Sequence, residues 1–355
     1  MSKPRAFISY SHENRDAFDA VRAALESRGL DPWSDRDLTP HLVGFTEQIK
    51  SYIAHSHVFL PILTPESHAR GWVHQEIGFA VAMKVPVVPI CIGRLPDGMI
   101  QMSQAVVLNS VADGLGQRLE RVPFDDLVAD AGLHWQPPSE SAAEIENRSE
   151  LLERNADDAR RFIGRKCVRQ AGGFSSFSLP DEGPSHPHWT ARWADKPRGA
   201  NATILLRRER RALEAHARVG GCKLAVNVGL DTDKYYGVGA KHARLSILLA
   251  FLEGLQLAPG LVQVVLLNQY PPHSLVMVGD WFVAESRAGR FGRGFQQTLF
   301  TAHAPTVTRQ VEEFDHEMRG WLKTQGTSAK DSRAWAIERL RAEIARLPPH
   351  PAWPR

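Results

Sequence analysis

The chain has 355 residues, 43% of them hydrophobic and 23% charged, with a formal net charge of +3. That length points to two domains, since single cores seldom grow beyond about 250 residues; the composition is that of an ordinary soluble globular chain, and so small a net charge gives no ground by itself for a nucleic-acid partner. Three widely spaced cysteines, Cys91, Cys167 and Cys222, with no CxxC among them, exclude a disulfide framework and a thiolate zinc site and suit a reducing cytosol, so a cytoplasmic location is expected.

The opening "MSKPRAFISYS" enters a strand directly, without the apolar core of a signal peptide. "AFISYS" (6–11) reads as a short β run. Asn14 is placed to cap a helix whose apolar positions Phe18, Val21 and Leu25 keep helical spacing and which Gly29 stops. "LDPWS" is a second short strand, followed by the polar loop "DRDLTPHLVG". Phe45, Ile49, Tyr52 and Ile53 mark a second helix. "HVFLPIL" (57–63) is a continuous apolar run, as in a strand covered on both faces, and "VPVVPICI" (85–92) is another; between them lies a helix containing "GWVHQEI". Strand and helix alternate through short loops, which predicts a doubly wound parallel sheet over 1–133. Such sheets bind ligands at the carboxyl ends of their strands.

From 134 the chain turns polar and proline-containing, and 134–166 reads as a linker with a connecting helix. Residues 167–325 then form a second α/β or α+β domain. "CKLAVNVGL" and "VQVVLLNQ" are strands, and "SLVMVGDWFVAES" is a hairpin turned at Gly-Asp. "ARLSILLAFLEGL" is the longest apolar run; it falls short of the ~18 residues of a membrane span and reads as a buried helix, so no membrane partner is expected. A further helix places Val307, Val311, Phe314, Met318 and Trp321 on one face. Residues 326–355 are a last helix and a tail.

Glu76 is the residue of chemical interest. A helical glutamate is ordinarily a solvated face residue, but Trp72 lies four residues before it on the same face. Ile77, Ala80 and Met83 supply an adjacent face for the sheet, so the Trp72/Glu76 face should border the sheet at its carboxyl edge. His74 should face solvent. The histidines show no spacing that favours a metal.

"AFISYS", "DRDLTPHLVGF", "VFLPIL", "WVHQEI" and "VPVVPI" together, in order and spacing, resemble a bacterial-type Toll/interleukin-1 receptor (TIR) domain over about residues 4–130. The resemblance implies a flavodoxin-like fold with a five-stranded parallel sheet. In members that cleave NAD+, a glutamate of the helix motif is essential, and it matches Glu76 here. Trp72 would lie beside the ribose and Phe45 against the nicotinamide side. Tyr10, Ser11 and His12 would border the cleft, and Asp35 would open the loop. This sequence has Ser11-His12 where the animal enzyme of the family has a basic pair, and its loop is one residue longer.

One carboxylate suffices for such a reaction. Ordinary glycosidases need two, because an alkoxide leaving group must be protonated. Nicotinamide is already a pyridinium cation in NAD+ and leaves neutral, while positive charge develops on the ribose; a fixed anion stabilises that state most. The expectation is therefore an NAD+ hydrolase that releases nicotinamide to give ADP-ribose or a cyclised variant, with NAD+ as substrate and no cofactor or metal. By the same resemblance it would be a prokaryotic anti-phage effector that self-associates through its TIR domains, activated by an unknown ligand or protein at the C-terminal domain. The alternative is a non-catalytic TIR adaptor or virulence protein acting by TIR–TIR contacts.

Weaker signals remain. "GRFGRG" (289–294) is basic but lacks the strand–turn–helix context of a dinucleotide fingerprint. "LLRRERRALEAHAR" (205–218) interleaves Glu209 and Glu214 with arginines and reads as a solvated helix or strand edge, a minor candidate for nucleic acid. Tyr235-Tyr236 before "GVGAK" is a minor pocket candidate. The run from "SLVMVGDWFVAES" onward faintly resembles the terminal part of phospholipase-D-like domains, but the HxK signature is missing, since Ala304-Pro305 follow His303.

Overall fold

The computed structural model describes residues 3–37, 45–68, 71–96, 98–101, 105–135, 142–143, 145–172, 175–179, 199–236, 238–271, 273–288 and 296–349. The chain divides into two compact units. Unit 1 comprises residues 1–136 with 302–309, and unit 2 comprises 137–301 with 310–355. Residues 38–44 of the polar loop, 289–294 and the side chains of Tyr235 and Tyr236 lie outside the described residues.

Unit 1 is a five-stranded, all-parallel sheet in the order β2-β1-β3-β4-β5, with β1 Arg5–Ser9, β2 Asp31–Trp33, β3 Val58–Leu63, β4 Ile90–Ile92 and β5 Val106–Leu108. Helices α1 (Arg15–Ser27), α2 (Phe45–Ala54), α3 (Gly71–Ala82), α4 (Leu115–Glu120) and α5 (Phe124–His134) accompany it. Phe18, Val21 and Leu25 of α1 pack with Ile8, Leu60, Ile62 and Ile90 of the sheet. Each such side chain contributes roughly 1.5–3 kcal/mol by leaving water. Gly29, at φ +79°, ends α1 in the left-handed conformation that the sequence reading assigns it.

Three details differ from the sequence reading. Asn14 stands at the N-cap position of α1, yet its amide donates to Thr64 Oγ1 at 3.0 Å and does not cap the helix. The apolar run 85–92 is regular strand only at Ile90–Ile92. Pro86 and Pro89 have no N–H to give, so pairing upstream shrinks to an isolated bridge between Phe59 and Val87. The fifth strand, Val106–Leu108, gives too short an apolar signal to be singled out. Pro32 is tolerated in β2 because that strand is at the edge.

Residues 302–309 are held within unit 1. The His303 ring stacks on Trp135 at 5.4 Å, its Nε2 donates to the Lys84 carbonyl at 3.0 Å, and its Nδ1 accepts from Thr306 Oγ1 at 2.8 Å. Burial pushes the His303 pKa down to about 4, against the opposing pull of the Lys84 carbonyl, so the ring is neutral near pH 7. His57 Nδ1 accepts from the Arg5 amide, which leaves Nε2–H to donate to Thr308 Oγ1 at 2.8 Å.

Unit 2 is built on a seven-stranded mixed sheet in the order β6-β12-β11-β10-β7-β8-β9. Its strands are β6 Ala142–Ala143, β7 Val168–Gly172, β8 Cys222–Asn227, β9 Val262–Leu267, β10 Ser274–Val278, β11 Phe282–Ala288 and β12 Gln296–Thr301. β7, β8 and β9 are parallel; the other pairings are antiparallel. The Gly-Asp turn makes the β10–β11 hairpin, with Gly279 at φ +57°. Its helices are α6 (Ile145–Phe162), α7 (Gly199–Gly220), α8 (Ala240–Gly254) and α10 (Ser332–Ile344), while α9 (Ala304–Thr324) has its first residues in unit 1.

The arginine-rich segment 205–218 is a helix as read, and Arg208, Arg211 and Arg218 are exposed, but its other face is buried. It belongs to α7, and Glu209 is 1% exposed. Its carboxylate accepts from Arg148 at 2.6 Å, Ser149 at 3.0 Å and Ser176 at 2.8 Å. Arg210 and Glu214 are also buried and pair at 3.2 Å. The interleaved acids thus neutralise arginines inside unit 2, where an unpaired charge would be very costly.

Candidate active site

The three central strands of a parallel sheet all end on one edge, and the polar residues of unit 1 gather there. Ser9 closes β1, paired in register with Pro61 of β3. Tyr10, Ser11 and His12 follow directly. After β3, a short helical turn (Pro65–His68) leads into α3, whose second turn carries Glu76.

Glu76 is 7% exposed. Val73, Ile77 and Ala80 of the same helix are buried beside it, so the helix turns its carboxylate inward with its packing face. Ser9 Oγ donates to Glu76 Oε2. The Trp72 indole, whose N–H can only donate, bonds to the same carboxylate from one turn earlier. Burial raises the Glu76 pKa to about 7; the Ser9 and Trp72 hydrogen bonds oppose the rise, and the negative charge of Asp35 adds to it. Trp72 itself is 40% exposed, so its ring covers the acid from the solvent side. His74 is exposed.

Asp35 begins a turn of 3-10 helix, Asp35–Asp37. His12 Nε2 lies 3.5 Å from its Oδ2, while its Oδ1 is buried without a hydrogen-bond partner among the described residues. Tyr10 is buried with its ring stacked on Phe18 at 4.3 Å and edge-on to His12 at 5.8 Å, and the Arg36 guanidinium lies 5.3 Å from its centroid. Its hydroxyl pKa is raised by burial and then by Asp35, with Arg36 opposing. The Ser11 hydroxyl is buried and has no partner among the described residues. Phe45 starts α2, but its side chain lies outside the described residues.

Tyr10, Ser11, His12 and Asp35 thus follow the ends of β1 and β2, and the charge of Asp35 is felt at Glu76. Two residues went unread in the sequence, Ser9 and Arg36. A serine closing a buried strand, directly after Ala6, Phe7 and Ile8, was the available signal for Ser9. Nothing in "DRD" separates Arg36 from an ordinary loop cation. Chemically, the arrangement is a proton-sharing carboxyl with a second acid nearby. Once ionised, it favours positive charge at the sheet edge.

Among the described residues no group of three His, Cys, Asp or Glu is arranged to hold a metal ion, and no helix is long and apolar enough to cross a membrane. No curated protein matches the chain. The chain is similar to the structure of Clostridium botulinum CMP N-glycosidase, BcmB, at 17% identity over 33% of this chain and 98% of that one, with a TM-score of 0.24. It is also similar to the structure of TrmBL2, an archaeal chromatin protein, at 10% identity over 57% of this chain and 62% of that one, with a TM-score of 0.28. Likenesses at those scores carry no argument. Residues 6–121 match the model of the family described as TIR domain. That match covers the strands of the five-stranded parallel sheet from the second residue of β1 to β5, and the parallel sheet of the N-terminal unit is consistent with the fold of that family.

Proposed function

We propose that the TIR domain cleaves the bond between nicotinamide and ribose in NAD+, with Glu76 as the catalytic carboxylate. The observation that carries this reading is the state of that side chain. It is buried at the carboxyl edge of the sheet and fixed by Ser9 and Trp72. A surface carboxylate of a docking module needs neither burial nor two donors, and burying one without a use is unfavourable.

In the mechanism, nicotinamide departs as a neutral base, so no group has to protonate it. The ionised Glu76 lies against the ribose as it becomes cationic and stabilises the transition state more than the ground state. Ser9 and Trp72 hold the carboxylate in one orientation, and the Trp72 ring keeps bulk water from screening it. Asp35 adds a second negative charge on the same side. Water then takes the ribosyl carbon to give ADP-ribose; a cyclised product forms where adenine arrives first. Self-association of TIR domains, and a ligand or protein acting on unit 2, would keep so destructive an activity in check until an infection signal arrives.

The test is nicotinamide release from NAD+ by the purified, concentrated chain and its Glu76→Gln variant. Loss of a transition-state anion should lower the rate on the order of 10²- to 10⁴-fold. Equal rates in the two proteins would remove Glu76 from the chemistry and leave TIR–TIR docking as the function.

A further inference from the structure

The helix that carries Glu76 ends on a strained residue. Its last turn closes in a Schellman cap, in which the Val85 amide donates to the Ala80 carbonyl at 3.0 Å and the Lys84 amide to the Val81 carbonyl at 3.1 Å. Such a cap puts residue 84 in the left-handed conformation, where glycine is the usual choice. Here the residue is Lys84, at φ +59°, and no other non-glycine among the described residues has a positive φ. Its Cβ crowds the following carbonyl, so the conformation has to be held from outside. The Lys84 side chain is exposed and does not do so. Nor does α3 hold itself firmly: Gly78 stands in its interior, where glycine weakens a helix, although a Cβ there would meet nothing within 4 Å.

The Lys84 carbonyl has a fixed partner. His303, itself 3% exposed, donates to it from Nε2 at 3.0 Å. A carbonyl can only accept, so the ring carries its proton on Nε2. Three contacts fix that ring in place. It stacks on Trp135 with the two planes 6° apart, and Thr306 Oγ1 donates to its Nδ1 at 2.8 Å. The chain at Pro305 also lies so close to α5 that a Cβ on Gly132 would come 2.9 Å from the Pro305 carbonyl oxygen.

We propose that His303 is a positioning residue for Glu76: by holding the Lys84 peptide in its left-handed conformation, it fixes the end of α3 and with it the place of the carboxylate. This rests on the reading of Glu76 as the catalytic acid. Glu76 lies about 12 Å along the helix axis from Lys84, and a helix moves as a rod. Turning α3 about its axis swings Glu76 away from Ser9, and a misplacement of about 1 Å costs on the order of 10²-fold in rate. Residue 84 is where His303 acts, so its role can be separated from its packing on Trp135.

The experiment compares the full wild-type chain with His303→Phe, His303→Gln, Lys84→Val, Lys84→Gly and the double variant His303→Phe/Lys84→Gly. The first readout is the pH midpoint of the Trp72 indole N–H resonance, which follows the carboxylate it bonds; burial raises that midpoint to about 7 in wild type. Phenylalanine keeps the stack on Trp135 but has no donor, so the loosened α3 admits water to Glu76 and the midpoint falls by about one pH unit. The second readout is nicotinamide release, where kcat falls about tenfold at unchanged KM. Glutamine restores a donor and behaves as wild type. Valine at 84 resists the left-handed conformation from an exposed site, so it repeats the His303→Phe effect without disturbing the buried ring. Glycine adopts that conformation freely, so Lys84→Gly matches wild type and the double variant recovers the wild-type midpoint and kcat. A midpoint unmoved in Lys84→Val, or in folded His303→Phe, would overturn the proposal. So would a double variant no better than His303→Phe, or a lower melting temperature as the sole effect of His303→Phe. Equal NAD+ cleavage by wild type and Glu76→Gln would remove the catalytic reading, while the Trp72 midpoint would still report whether His303 holds α3.

Discussion

Glu76 keeps its proton until the pH reaches about 7, because burial penalises its anion more than Ser9 and Trp72 relieve it. Its folded pKa lies above the ordinary glutamate value of 4.5. The native state therefore holds a proton that the unfolded chain releases, and the stabilising contribution is full below about pH 4.5 and lost as the pH rises through about 7. Glu76→Gln removes that penalty while the amide oxygen still accepts from Ser9. The variant should melt at the wild-type temperature near pH 4.5 and higher than wild type at pH 8, by up to about 3 kcal/mol of stability. A lower melting temperature at pH 8 would mean that the carboxylate is stabilised in the fold. Ser9→Ala removes a bond that lowers the Glu76 pKa, so it should move the pH midpoint of NAD+ cleavage upward; an unmoved midpoint would show that Ser9 does not hold the reacting carboxylate. Glu76 and Trp72 were legible in the sequence because helical spacing puts them on one face. Ser9 was not, since a strand gives no register with a helix 67 residues away.

At the scale of elements, apolar periodicity carried most of the information. α1 follows from Phe18, Val21 and Leu25, where a 3–4 spacing has one structural meaning, and β1 to β4 lie within short apolar runs, while β5 does not stand out. Charge patterning was less faithful. Segment 205–218 has the composition of a solvated helix, yet α7 buries Glu209 among Arg148, Ser149 and Ser176, and those partners lie 33 to 61 residues away in sequence. Pairing at that distance leaves no local trace. Glu209→Ala leaves the half-buried Arg148 without its counter-ion and the buried Ser149 and Ser176 hydroxyls without their acceptor, and should destabilise unit 2 by about 3 kcal/mol, read as a lower urea midpoint. An unchanged midpoint would mean that the network relaxes into water. Asn14 teaches the same lesson in small, since its type and position suit a helix cap while its amide reaches Thr64.

For the whole molecule, length alone pointed to two units, and both are present. What length and pattern could not show is that residues 302–309 close unit 1, where His303, Thr306 and Thr308 meet Trp135, Lys84 and His57. A fragment of residues 1–136 exposes the Trp135 face and loses the partner of the Lys84 carbonyl, so it should melt below the same unit in the full chain; equal melting would show that the segment adds no stability. The central claim is that an ionised Glu76 stabilises a cationic ribose, and the dependence of kcat/KM for NAD+ on pH tests it most directly. The account predicts a rate that climbs tenfold per pH unit and levels off above about 7, the Glu76 pKa, with Glu76→Gln far slower and without that limb. A wild-type profile flat from pH 5 to about 8, or a Glu76→Gln variant as fast as wild type, would contradict it.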